Sequence, residues 1–132
     1  MGSLNFPVQE RLKSAKAIAE LYKKGRSLSQ SNLFVKYQLT PTTSESVSRI
    51  QIAVAVSKKL FKKAIHRNRV KRLMRECYRL NAPTLRDTVS NSGYDLRFLV
   101  TYTGSELPTF ADLTHEFKLV FKRLEKSLKK VG

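Results

Sequence analysis

Between Leu12 and Lys24 the apolar residues Leu12, Ala15, Ile18, Ala19 and Tyr22 recur at helical spacing, which predicts a short helix stopped by Gly25. Either Ser14 or Asn5 supplies its N-cap. Arg26 to Ser31 is polar and has room for a very short strand around Leu28. From Asn32 to Leu39 the pattern alternates, with Leu33, Val35, Tyr37 and Leu39 on one face and Phe34, Lys36 and Gln38 on the other. That period of two predicts a strand. Thr40 to Ser48, with Pro41 and a run of Thr and Ser, reads as a mobile hairpin loop leading to a second alternating stretch, Ile50 to Ser57. There Ile50, Ile52, Val54 and Val56 make a bulky face, and Gln51, Ala53, Ala55 and Ser57 a small one. The small face admits either a groove or a close-packed helix.

A second helical pattern begins near Ile65. At 100° per residue, Leu80, Leu73, Cys77 and Val70 fall between about 60° and 140°, and Arg75, Asn68, Arg79 and Arg72 between about 280° and 340°. The first group is the expected core face and the second a polar stripe opposite it. Asn81 to Gly93, containing Pro83, reads as a loop with at most a helical turn. Tyr94, Leu96, Phe98, Val100 and Tyr102 are in phase for a last strand. Thr109 and Asp112 resemble a capping box for a final helix, whose stripe is Phe110, Leu113, Phe117, Phe121, Leu124 and Leu128. Its tail from Lys126 to Gly132 is expected to fray.

The resulting order is helix, three strands, helix, strand, helix. This is an α+β fold of three helices on a small, mainly antiparallel, four-stranded sheet. At 132 residues one domain accounts for the whole chain, with residues 1–8 and 128–132 flexible.

Charge changes this picture of an ordinary small domain. There are 26 Lys and Arg against 10 Asp and Glu, a formal charge of +16, and the sequence pI is near 10.3. Within Lys58 to Arg79 ten residues are basic and only Glu76 is acidic. Like charges at i, i+3 and i, i+4 cost a helix a few tenths of a kcal/mol per pair. A solvated face would mix its signs; a one-signed cluster is the footprint of a nucleic-acid partner. A membrane surface would attract the same charge, but position 6 after Met1-Gly2 is Phe6 rather than Ser or Thr, and no apolar run reaches membrane-spanning length. The chain is therefore expected in the cytoplasm, with no membrane and no obligate protein partner. Cys77 is the single cysteine, on the apolar stripe, where a buried inert thiol is expected. No carboxylate cluster suits two-metal chemistry, no histidine pair suits acid–base hydrolysis, and no metal-ligand spacing is present.

Ala53-Val54-Ala55-Val56-Ser57-Lys58-Lys59, followed by Ala64-Ile65-His66-Arg67-Asn68-Arg69-Val70-Lys71-Arg72-Leu73-Met74-Arg75-Glu76, closely resembles the protein subunit of bacterial ribonuclease P. Arg67-Asn68-Arg69 matches that family's RNR motif. Leu12 to Ser27 fits its first helix, Phe34 to Tyr37 its leading strand, and Thr109 onward its last helix. Two positions depart from the pattern. Leu60 to Lys63 makes a connection one residue longer than many members have, and Ile18 stands where Phe is common.

The resemblance implies a left-handed βαβ crossover through the basic helix, where pattern alone predicts the common right-handed one. It also implies that a catalytic RNA subunit, requiring Mg²⁺, removes the 5′ leader of precursor tRNA, and that this chain is its non-catalytic protein subunit. Lys58, Lys59, Arg67, Asn68, Arg69, Lys71, Arg72, Arg75 and Arg79 are then the RNA-binding residues. Ile18, Tyr22, Val35, Tyr37 and Ser57 form the leader cleft, where stacking tolerates any sequence. A ribosomal or other structural RNA-binding protein without a processing role is the alternative, and a protein-only nuclease or a DNA-binding helix module fits less well.

Overall fold

The computed structural model describes residues 8–43 and 49–131. After a 3-10 turn at Val8–Glu10 come α1 (Ala15–Lys24), β1 (Arg26–Gln30), β2 (Leu33–Pro41), β3 (Ile50–Val56), α2 (Ala64–Ser92), β4 (Tyr94–Tyr102) and α3 (Phe110–Val131). The N-cap candidate Asn5, residues 44–48 of the loop and Gly132 lie outside the described residues, as does the proposed flexible start up to Pro7.

Helix α1 starts three residues later than its apolar pattern suggests. Ser14 is the cap, its hydroxyl accepting the Ala17 N–H at 3.2 Å. Leu12 is not helical because its N–H donates to Ile52 O at 2.9 Å, and Arg11 forms a parallel bridge with Ile52. Residues 11–12 thus lie as a strap along the edge of β3. Gly25 ends α1 through close approach: a Cβ there would sit 2.4 Å from Leu21 O and 3.0 Å from Tyr37 O.

The sheet order is β1-β2-β4-β3, antiparallel except for the parallel β3–β4 pair. The expected β2–β3 hairpin does not form, because β4 inserts between those strands. Parallel neighbours need a long crossover, and α2 provides it. Bonds from Thr42 N–H to Gly93 O (2.9 Å) and from Leu96 N–H to Arg49 O (2.8 Å) fix the insertion.

One sheet face carries Val35, Tyr37, Ile52, Phe98 and Val100 beneath α2 and α3 in the main core. The other carries Leu99, Ala53 and Ala55, which pack with Leu12, Ala17, Ile18 and Leu21. The small face of β3 therefore admits α1 at close range.

Helix α2 runs 29 residues and contains Pro83, so the loop expected at 81–93 is helical. Proline removes one N–H from the ladder, but Ala82, Leu85 and Val89 continue the buried spacing of Met74, Cys77 and Tyr78. Packing along that row holds the helix through the proline. Gly93, at φ 78°, ends it. Arg49 completes the terminus, donating to Val89 O at 2.9 Å and pairing with Asp95 at 3.1 Å. A cation there also complements the helix dipole.

Over this stretch Val70 and Cys77 are buried as expected, but the buried face of α2 is centred about 65° round the helical wheel from the expected one. Met74 and Tyr78 are fully buried, whereas Ile65 is 72% and Leu80 49% exposed. The rotation follows from the Tyr78 ring, which meets Phe98 at 6.4 Å and Phe121 edge-on at 6.1 Å between ring centres. In α3 the Thr109 hydroxyl accepts the Asp112 N–H at 3.1 Å, as the capping pattern predicts. The helix continues past Lys126 to Val131, with Leu128 fully buried.

Candidate nucleic-acid interface

The link between β3 and α2 is folded around its own backbone. Ser57 O accepts the Phe61 N–H at 3.1 Å, and the Ser57 hydroxyl accepts the Lys59 N–H at 3.2 Å. Phe61 is buried against Tyr102, with ring centres 6.1 Å apart. Lys58, Lys59, Lys62 and Lys63 are exposed by this arrangement. Arg67 turns back toward it, Nη1 donating to Phe61 O at 2.7 Å and Lys62 O at 2.8 Å. That guanidinium fixes the loop and has less of its fork free for a phosphate than a solvent-facing arginine.

Asn68, Arg69, Arg72 and Arg75 are all exposed along the first half of α2, and Lys71 is half-buried beside them. Arg79 is half-buried in an ion pair with Glu76. The Arg79 hydrogen bond holds the Glu76 carboxyl below its ordinary range. Of the nine basic-face residues expected from sequence, the structure thus presents Lys58, Lys59, Asn68, Arg69, Arg72 and Arg75 openly to solvent. Arg67 and Arg79 have protein partners.

Sequence reasoning missed two cations that join this face. A cavity of about 420 Å³ between the strap and β3 is lined by Arg11, Leu12, Lys13, Ile52, Ala53, Val54 and Arg75. Three positive side chains, Arg11, Lys13 and Arg75, share its lining with apolar residues of the strap and β3. Arg11 and Lys13 reach it because Leu12 between them is buried and its N–H is fixed on Ile52. Their alternation with Leu12 was the available signal, but the Ile52 contact spans forty residues of sequence.

The five residues expected to form a leader cleft are not brought together. Ile18 packs on the Ala53–Ala55 face, and Tyr22 is 54% exposed on α1. Val35 and Tyr37 lie on the opposite sheet face, buried in the main core, and the Tyr37 hydroxyl hydrogen-bonds Ser127 Oγ of α3 at 3.3 Å. Ser57 serves the turn described above. On the face that α1 shares, β2 presents Phe34, Lys36 and Gln38, in register with Thr101, Leu99 and Arg97 of β4.

The remaining reactive candidate is inert. Cys77 is fully buried, and burial pushes its thiol up to about 12, far from the thiolate a nucleophile needs. Among the described residues no three His, Cys, Asp or Glu side chains group as a metal site, and no helix is long and apolar enough to cross a membrane.

The sequence profile of the ribonuclease P family matches residues 6–125. The chain belongs to the ribonuclease P protein family. The ribonuclease P protein component of Clostridioides difficile is 33% identical over 125 residues, covering 95% of this chain and all of that one. The component from Porphyromonas gingivalis is 32% identical over 123 residues, covering 93% of this chain and 83% of its own length. Solved structures agree on the fold. The Staphylococcus aureus RNase P protein superposes with a TM-score of 0.67 at 21% identity, covering 87% of this chain and 94% of that one. The Thermotoga maritima RNase P protein gives 0.67 at 21%, covering 86% and 96%. The family works in tRNA processing, as the RNA-binding protein component of a ribonucleoprotein endoribonuclease.

Proposed function

We propose that this protein assembles with the RNA subunit of ribonuclease P in the bacterial cytoplasm, and that the RNA subunit, with Mg²⁺, cleaves precursor tRNA while the protein positions it. The carrying observation is the open, one-signed row Asn68, Arg69, Arg72 and Arg75, joined through Arg75 to Arg11 and Lys13 around one cavity. Arginine forks bind phosphates bidentately, and lysines act on them as point charges. The α2 row and the Lys58–Lys59 turn are assigned to the RNA subunit. The α1 side of the sheet is assigned to the single-stranded leader, with the basic cavity taking phosphates and Phe34 and Tyr22 offering rings to bases.

Arg72→Ala and Arg75→Ala are each expected to weaken assembly with the RNA subunit by about 1–3 kcal/mol, the range for hydrogen bonds to charged groups. Circular dichroism should be unchanged, since both side chains are exposed. Each lost phosphate contact should also reduce the salt slope of log K by a little under one unit. Unchanged affinity and slope would return these residues to a solvated face.

A further inference from the structure

The rotation of α2 leaves apolar side chains outside. Ile65 is 72% and Leu80 49% exposed, and Leu73 between them is only partly covered by the core. With Arg69 and Arg72 they occupy one outward sector about 100° wide on the helical wheel. At 1.5 Å per residue the strip from Ile65 to Leu80 is about 22 Å long. The core does not need these side chains outside, because Val70, Met74 and Cys77 already anchor this half of the helix. A surface that met only phosphates would have no use for isoleucine and leucine among its arginines.

We propose that this strip receives unstacked bases of the RNA subunit, Ile65, Leu73 and Leu80 packing against them while Arg69 and Arg72 hold the adjoining phosphates. The proposal rests on the assignment of the α2 face to that RNA. Folded RNA offers such bases in its loops and bulges, where they are open to apolar as well as polar contact. A second copy of this chain is the other occupant that an apolar strip suggests. Pairing two strips would bring Arg69 and Arg72 of both copies together in a chain of charge +16, and like charges oppose that contact.

The test is the binding of Ile65→Gln and Leu80→Gln proteins to a bacterial ribonuclease P RNA across a range of KCl concentrations. Glutamine suits an exposed helix position, and an unchanged melting temperature checks the fold. Each variant should bind about tenfold more weakly, the lower end of what burying such a side chain supplies. The plot of log K against log salt should be displaced yet parallel to that of the unsubstituted protein, because no phosphate contact is lost. Ile65→Leu and Leu80→Met should retain the affinity. Unchanged binding by the glutamine variants, with Arg72→Ala and Arg75→Ala still weakened, overturns the strip and leaves the basic face standing. Unchanged binding by all four removes both. A lower salt slope in the glutamine variants contradicts an apolar contact. Sedimentation showing a dimer that these variants abolish assigns the strip to a second copy instead.

Discussion

Glu10→Ala is expected to lower the unfolding free energy by about 2–4 kcal/mol, between the cost of an unsatisfied buried polar group and that of a broken buried ion pair. Glu10 is a nearly buried carboxylate. Its Oε1 accepts the Tyr78 hydroxyl at 2.6 Å, and its two oxygens take Arg86 Nη2 and Nε, both at 2.8 Å. Burial, with the bond to this carboxylate, pushes the Tyr78 phenol well above its ordinary value, so at neutral pH it stays a donor. Removing the carboxylate takes the short-bonded acceptor from that buried hydroxyl and the counter-charge from the guanidinium, which keeps its place over the Tyr78 ring. Arg86 is about one-third exposed, so water recovers part of the loss, which sets the estimate below that for a sealed pair. The same change should release the strap, and the Leu12 amide held on Ile52 O should exchange faster with solvent. Chemical denaturation and hydrogen exchange check both effects. A loss below about 0.5 kcal/mol, the level of an ordinary surface substitution, would show that the clamp contributes little.

The two tyrosines assigned to one cleft from sequence are expected to behave oppositely. Tyr37→Ala removes a ring that is 7% exposed beneath α3, and should cost about 3–5 kcal/mol, as aromatic-to-alanine changes in cores do. Tyr37→Phe gives up only the long bond to Ser127 and should cost under about 1 kcal/mol. Tyr22→Ala, at a half-exposed site, should stay within about 0.5 kcal/mol of the parent and weaken binding of leader-bearing substrate only. Thermal melts together with holoenzyme binding to tRNA with and without a leader separate these outcomes. A Tyr37→Ala protein of unchanged stability and reduced leader binding would place Tyr37 in the cleft after all.

Why both tyrosines looked alike in the sequence shows where such reading stops. Alternation located β2, β3 and β4 because side-chain direction along a strand repeats every two residues. It also placed Val35 and Tyr37 on one face, correctly. Which face α1 would cover is not a local property, and α1 took the side of Ala53 and Leu99. The β4 insertion was hidden for the same reason, since pairing across a sheet leaves no mark in either strand's own pattern. The second half of α2 was hidden by Pro83, which read as a helix end although Leu85 and Val89 keep the spacing of Met74 and Tyr78. The basic face was legible because ten cations in a short stretch need no partner to be noticed. That Arg67 would turn onto Phe61 O and Lys62 O was not, as it depends on how the Ser57–Phe61 turn closes. Arg79 had its partner in view: Glu76 lies three residues earlier, at a spacing where helix side chains meet.

The proposed role is to assist an RNA catalyst through a cationic surface, with no RNA cleavage by this chain itself. Its most direct test is cleavage of precursor tRNA at low Mg²⁺ by a bacterial ribonuclease P RNA, with and without the protein, alongside carefully RNA-free protein. The expected result is no cleavage by protein alone, slow cleavage by RNA alone, and strong stimulation when they are combined, reduced in the Arg72→Ala and Arg75→Ala proteins. Turnover by RNA-free protein, or equal stimulation by a simple polyamine, would contradict it.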